Sequence, residues 1–286
     1  MSVKSQIGGQ VIHFPEPDPV PQVKKFKGRD KELKMCQAAW GIDPEKGVLD
    51  KDMHRLYFRL QGPPGVGKNE IVYQIVRELQ TKDEKIPFYS IQGHEELTPE
   101  DLGLILVPDE NSSQPGSPSL ILRGSPLAAA IHFGGVFFFD EINRVPERSL
   151  APLAAVLDSR QYLYSAMTGL KIEPEDEVAK SRFRFCSALN PLFSESGAGG
   201  LPDYIAERTL PVVDIKPQPF EELCEILEAN LDLKGKPEFL ACFKRQFEKH
   251  TSEIMSLRRA LSLMKYALNH GEPDLAFAEL MENLPG

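Results

Sequence analysis

One run of eight residues limits this chain more than any other: Gly62-Pro63-Pro64-Gly65-Val66-Gly67-Lys68-Asn69. Glycines at this spacing let successive backbone N–H groups turn inward around an anion, and the lysine behind them reaches the outer oxygens of a bound phosphate chain. The apolar stretch Leu56–Leu60 precedes the loop, and Ile71, Val72, Ile75, Val76 and Leu79 trace one face of a helix beginning near Lys68. A strand, a glycine turn and a helix whose positive end faces that turn predict a phosphate site. Its contacts are Gly62, Pro63, Pro64, Gly65, Val66, Gly67, Lys68, Asn69 and Glu70.

A second apolar run, Val136-Phe137-Phe138-Phe139, ends in Asp140-Glu141. Four bulky residues behind Gly134-Gly135 suit a central buried strand, and open α/β sheets place their ligands at the carboxyl ends of such strands. Asp140 is therefore the candidate magnesium ligand, and Glu141 the candidate that orients and polarises a water attacking a phosphate. Position 69 is Asn where the loop pattern expects Ser or Thr, whose hydroxyl ligates magnesium. Three readings stay open: Asn69 substitutes through its amide oxygen, Asp140 and water hold the metal, or turnover is slow.

Apolar runs bounded by turn residues alternate with helical periodicity, which predicts an α/β fold with a parallel sheet covered on both faces. Five strands are expected, near Leu56–Leu60, Ile86–Ile91, Val136–Phe139, Phe183–Ala188 and Thr209–Ile215, with a further helix traced by Leu150, Leu153, Ala154 and Leu157. Asp109–Ser119 reads as an exposed polar loop and Gln161–Ile172 as a hairpin. Thr98-Pro99-Glu100-Asp101 reads as a capped helix start; His94-Glu95-Glu96-Leu97-Thr98 lacks the second histidine of a zinc-protease helix. Pro15, Pro17, Pro19 and Pro21 favour an extended N-terminal arm over residues 1–25. An α/β domain over 26–216 follows, and 217–286, helical in pattern over Pro219–Leu231, Pro237–His250, Leu257–His270 and Asp274–Leu284, forms a small all-helical domain.

The charge balance, 33 basic against 42 acidic residues for a net −9, repels a phosphate backbone and disfavours nucleic-acid coating. Cys36, Cys186, Cys224 and Cys242 share no paired spacing, so reduced, mostly buried thiols are expected. No apolar run approaches the roughly 18 residues of a membrane span, and the opening MSVKSQIGGQ lacks a secretion signal's apolar core. The expectation is a soluble cytoplasmic protein with no membrane partner.

With these motifs in place the chain resembles an AAA+ ATPase of the MoxR family, in the helix-2-insert clade. The resemblance covers about Gly28 to Arg259. Gly28-Arg29-Asp30-Lys31-Glu32-Leu33 is similar to the superfamily's adenine-side motif. Phe139-Asp140-Glu141-Ile142-Asn143-Arg144-Val145-Pro146 resembles the family's Asp-Glu-Ile-Asn-Arg-Ala-Pro signature. Leu189-Asn190-Pro191 resembles its sensor-1 segment, Leu201-Pro202 through Glu207-Arg208 its Leu-Pro…Asp-Arg segment, and Ser256-Leu257-Arg258-Arg259 its sensor-2 helix start.

The resemblance implies a P-loop αβα sandwich with a five-stranded parallel sheet and a small helical lid. It also implies ATP and Mg²⁺ as cofactors and hydrolysis between subunits of a homo-oligomeric ring, a hexamer by kinship. The client would be a protein, with a von Willebrand factor A-domain protein as the class the family suggests. Asn190 would hold the water or the γ-phosphate, and Arg258 would touch the γ-phosphate, with Arg259 its competitor because Leu257 stands where the family has Pro. Arg208 would be the arginine finger reaching a neighbour's nucleotide, with Arg148 and Arg160 as competitors. Two other functions remain: an ATP-dependent assembly scaffold with little hydrolysis, supported by Asn69, and a nucleic-acid-directed GTPase motor of the same clade, opposed by the −9 charge.

Overall fold

Alternation within the phenylalanine run sets the middle of the molecule. In a strand successive side chains leave on opposite faces, so Phe137 and Phe139 enter one core and Val136 and Phe138 the other; all four are buried. The computed structural model describes residues 3–22, 25–82, 86–109, 119–191, 200–249 and 255–282. The chain opens with the antiparallel hairpin β1 (Val3–Ile7) and β2 (Gln10–Phe14). It continues through α1 (Asp30–Ala39), β3 (Phe58–Gln61), α2 (Lys68–Lys82) and β4 (Phe88–Gln92) to the hairpin β5 (Leu104–Pro108) and β6 (Leu120–Gly124). Then come α3 (Pro126–Phe133), β7 (Val136–Asp140), the short helices α4 (Glu147–Leu150) and α5 (Leu153–Val156), and the small hairpin β8 (Leu163–Tyr164) and β9 (Lys171–Ile172). The α/β part ends with α6 (Glu177–Arg182), β10 (Arg184–Leu189), α7 (Asp203–Ala206) and β11 (Val212–Asp214).

The central sheet has five strands in the order β11-β3-β10-β7-β4, all parallel. It is the α/β architecture expected from the sequence, with each strand within three residues of its expected start. The last is shortened to three residues, beginning after Pro211, which has no N–H to give a ladder. On one face α2 buries Ile71, Val72, Ile75, Val76 and Leu79 against Phe58, Leu60 and Phe138. At about 1.5–3 kcal/mol for each such side chain, this fixes α2 with its N-terminus at the tips of β3 and β7. Four helices follow β11: α8 (Phe220–Asn230), α9 (Pro237–Lys249), α10 (Leu257–His270) and α11 (Pro273–Glu282). They share their own core, with Leu223, Leu227, Phe243, Leu263, Met264 and Phe277 buried in it.

Three expectations need correction. Residues 3–14 are not an extended arm but a hairpin that joins β5 and β6 in a second sheet, order β1-β2-β6-β5. Gly8 and Gly9, at φ 57° and 79°, make the two-residue turn that a right-twisted hairpin prefers. Ile12 and Phe14 are fully buried, and a Cβ on Gly124 would lie 2.4 Å from the Phe14 ring, so this side chain needs a glycine beneath it. Behind the hairpin the described residues 15–22 of the proline-rich stretch have no helix or strand, yet they are docked: Asp18 N–H donates to the Phe88 carbonyl (2.7 Å), and its carboxylate accepts from Ser90 N–H and Oγ, covering the β4 edge.

Second, the helix read through Leu150–Leu157 is broken into α4 and α5 around Pro152, which cannot donate within a helix. Third, the expected capping box forms, with Thr98 N–H and Oγ1 both donating to Asp101 Oδ2 (2.9 and 2.7 Å), but only the 3-10 turn Glu100–Leu102 follows it before Gly103. The hairpin in Gln161–Ile172 is present as β8 and β9. The loop expected at Asp109–Ser119 closes through an Asp109 N–H to Ser119 carbonyl bond (2.7 Å); residues 110–118 lie outside the described residues, as do 283–286 at the end of the last expected helix. All four cysteines are free thiols, three of them buried, and burial pushes Cys36 up to about 12. Among the described residues no helix is long and apolar enough to cross a membrane.

Candidate functional site

The glycine turn leaves the tip of β3 and runs into α2. Gly62 cannot carry a side chain, since its Cβ would lie 2.2 Å from the Ile215 carbonyl oxygen, and Gly65 and Gly67 hold positive φ of 76° and 94°. The Lys68 ammonium folds back onto the loop and donates to the carbonyls of Gly62 (2.6 Å) and Pro63 (2.9 Å). Burial holds its pKa below the usual lysine range, while Asp140 and Glu141 pull it back up. A buried ammonium whose partners are neutral carbonyls suits an anion entering the loop.

Asp140 and Glu141 stand at the carboxyl end of β7, next to β4, with Gln92 paired to Asp140. Asn69 Nδ2 donates to Asp140 Oδ2 at 2.7 Å. Burial pushes the Asp140 carboxyl above its ordinary value, opposed chiefly by that bond from Asn69. Glu141 is left-handed (φ 49°, ψ 39°), an uncommon backbone for a non-glycine residue and one that clusters at functional sites. Its Oε2 accepts from Arg144 at 3.0 Å and from Gln92 at 3.2 Å. The Gly93 N–H donates to the Asp140 carbonyl, and a Cβ on Gly93 would sit 2.4 Å from the Glu141 carbonyl oxygen, so the glycine lets the two strand ends close up.

Asn190, 4% exposed, follows β10 beside this pair. Buried Asn143 clamps its backbone: Nδ2 donates to the Asn190 carbonyl (2.9 Å) and Oδ1 accepts from the Asn190 N–H (3.4 Å). From the C-terminal helices, α10 begins directly on the phosphate loop. Its cap Ser256 has Oγ 2.7 Å from where a Gly65 Cβ would be, and Arg258 N–H donates to the Gly65 carbonyl (3.1 Å). Arg29 NH2 also reaches the Val66 carbonyl of the loop (3.5 Å) and the Lys216 carbonyl, two residues past β11.

These groups line one cleft of about 270 Å³ between the parallel sheet and the C-terminal helices. Its wall includes Lys68, Asn69, Glu70, Asp140, Glu141, Asn190 and Arg258, so sequence candidates from four separate stretches meet there. Three buried polar atoms without hydrogen-bond partners among the described residues, Arg29 Nε, Glu70 Oε2 and Gln218 Oε1, belong to side chains on this wall. A polar ligand fits such a wall, because buried polar groups are normally paired. For a magnesium ion the protein offers a sparse set, one carboxylate and one amide. No group of three His, Cys, Asp or Glu gathers as metal ligands among the described residues. That suits a cation held mostly by phosphate oxygens and water.

Other candidates lie elsewhere. Arg208, two residues past α7, is absent from the cleft wall and donates to the Tyr204 carbonyl of that helix (2.7 Å). Arg148 lines a surface hollow with Tyr204, and Arg160 grips Asp158 through two nitrogens. Of the pair at the start of α10, Arg258 lines the cleft and Arg259 does not. Gln92 and Gln218 were not singled out from sequence. Neither sits in a recognisable spacing, and each matters through what the fold sets beside it. Asn143 was quoted only as part of the signature, without a role.

Residues 58–200, half of the chain, match the AAA domain (dynein-related subfamily). The chain belongs to this AAA family. The AAA chain is also 23% identical over 253 residues to the denitrification regulatory protein NirQ of Stutzerimonas stutzeri, covering 87% of this chain and 81% of that one. Among solved structures it superposes on a RuvB mutant from Thermotoga maritima with a TM-score of 0.57 at 17% identity, over 90% of this chain and 70% of the other. NtrX from Brucella abortus in complex with ADP gives 0.55 at 15% identity, over 92% and 56%. At those identities the two structures speak for the fold of the AAA chain alone.

Proposed function

We propose that this AAA chain is an ATPase of the MoxR family, working in the cytoplasm as a homo-oligomeric ring, hexameric by kinship, that remodels a protein client. The client class we favour is a von Willebrand factor A-domain protein. One observation carries the catalytic half: Lys68, Asp140, Glu141, Asn190 and Arg258, far apart in sequence, face one cleft. The MoxR assignment rests on the Asp140–Pro146 signature, and the likeness to a denitrification regulatory protein supports a regulatory client.

In this reading the Lys68 ammonium exchanges its carbonyl partners for phosphate oxygens, and Arg258 adds charge from the α10 side. Asp140, with the amide oxygen of Asn69, would hold a magnesium ion, which supplies charge neutralisation on the phosphates. Glu141 leaves Arg144 and Gln92 to accept the proton of a water that Asn190 orients. Arg208, turned away from its own cleft, serves a neighbouring subunit. The test is steady-state phosphate release: Glu141→Gln should lower turnover by about 10²-fold or more while ATP still binds. Equal rates in the two proteins exclude the enzyme.

A second reading, a nucleotide-driven assembly scaffold that barely hydrolyses, is favoured by two contacts. Asn69 turns its amide nitrogen, not its oxygen, to Asp140, and Glu141 is held by Arg144 and Gln92. It predicts ATP-dependent assembly with negligible phosphate release from the wild type. The nucleic-acid motor is disfavoured by the net charge of −9.

A further inference from the structure

The amino end of β10, opposite the end that carries Asn190, holds a group of charges that hydrolysis does not use. Arg184, the first residue of β10, is 1% exposed. Its Nε donates to the Trp40 carbonyl (2.7 Å), and NH1 donates to the carbonyls of Ser181 (2.7 Å) and Phe183 (3.0 Å). NH2 has no hydrogen-bond partner among the described residues, and the side chain lines a hollow of about 350 Å³. Unlike the partnerless atoms of the cleft wall, NH2 is not sealed off from solvent. Half-buried Arg55 lines the same hollow, with NH2 donating to Gln161 Oε1 (2.9 Å) and NH1 to the Lys180 carbonyl. Gln161 is buried in a left-handed backbone (φ 47°), and its Nε2 donates to the Tyr57 hydroxyl (2.9 Å), so its amide oxygen is fixed towards the arginine.

Both guanidiniums are paired with neutral oxygens alone among the described residues. The two carboxylates of the hollow are engaged elsewhere: Asp50 accepts from Asp52 N–H (2.8 Å), and Glu177 pairs with Lys180 (3.5 Å). Carbonyls satisfy the N–H groups but not the charge, and a buried charge without a counter-charge is costly. Burial pulls the Arg184 guanidinium down to about 10, and the neighbouring charge of Arg55 acts in the same direction. We propose that this hollow is an anion site for a phosphate group, free or carried on a small molecule, held by Arg184 and Arg55 with Lys51 and Lys180 adding charge. With His54 neutral, four cations stand against two carboxylates there, an excess that a phosphate dianion balances and a single carboxylate does not. A guanidinium fork also matches the spacing of phosphate oxygens. This site stands whether or not the sheet–helix cleft holds a nucleotide.

The test is equilibrium binding of inorganic phosphate and of glycerol 3-phosphate to the full chain, followed by phosphorus NMR at constant ionic strength with ADP and magnesium in excess. Both probes should bind saturably, and chloride should not displace them. Arg55→Gln should weaken both by at least about 10-fold, as expected for loss of a charged hydrogen-bond donor. Lys68→Ala, which disarms the phosphate loop, should leave them unchanged. Tighter binding of glycerol 3-phosphate marks a phosphate ester as the ligand, and equal binding marks free phosphate; either supports the site. If Arg55→Gln does not fold, the double variant Lys51→Gln, Lys180→Gln takes its place and should also weaken both probes. Absence of saturable binding, or binding that these substitutions leave unchanged, overturns the proposal. So does binding lost in Lys68→Ala, which would put the phosphate in the sheet–helix cleft.

Discussion

Asn143, outside the cleft wall, shows how one amide can serve the proposed hydrolysis by positioning another residue. It lies two residues past Glu141 in the 3-10 turn Ile142–Arg144, and its side chain satisfies both backbone groups of Asn190. Removing it takes away both of these buried hydrogen bonds, at about 1–3 kcal/mol, and loosens the strand end that carries Asn190. Asn143→Ala should therefore lower kcat about 10-fold or more at nearly unchanged ATP affinity, read by turnover beside equilibrium binding. A loss of affinity equal to the loss of kcat would contradict this positioning role. The phosphate loop and the acidic pair were legible in the sequence because their chemistry is written in adjacent residues. Gln92, Asn143 and Gln218 were not, because glutamine and asparagine are ordinary surface residues until the fold buries them beside a partner or leaves them without one.

The hairpin at the start of the chain is the largest difference between the reading and the structure. Its pattern was present in VKSQI and QVIHF on either side of Gly8-Gly9, but four prolines behind it dominated the stretch. Short strands are weakly specified on their own, and this pair is stable because Phe14 stacks on His132 (centroids 5.2 Å) and meets Phe133 edge-on over Gly124. Phe14→Ala should cost about 3–5 kcal/mol, seen as a lower midpoint in urea. A change under about 1 kcal/mol would mean that the second sheet contributes little to the fold. The same logic covers α4 and α5: the apolar period ran through Pro152, but a residue without an N–H cannot continue a helix ladder.

The finger role proposed for Arg208, which does not line its own cleft, calls for more than one chain in the working ATPase. Because a trans arginine contributes about 10³–10⁵-fold in rate, turnover per subunit should rise with protein concentration. Mixing Arg208→Ala subunits with Glu141→Gln subunits should restore part of the activity that each lacks alone, since an intact Glu141 then meets an intact Arg208 across some interfaces. A specific activity independent of concentration, with no recovery on mixing, would place the finger elsewhere, Arg148 and Arg160 being next in line. The sequence by itself determined the class of fold and the phosphate chemistry, since strand alternation, helical period and a glycine loop are local patterns that elementary sterics converts directly into structure. Only the tertiary structure decided that α10 closes on the loop, that Asn143 grips Asn190 and that Gln218 is buried with its Oε1 unpaired among the described residues. Those facts depend on which distant surfaces share a core, and burial, which sets the energetic worth of a polar group, is not a property of any one stretch of chain.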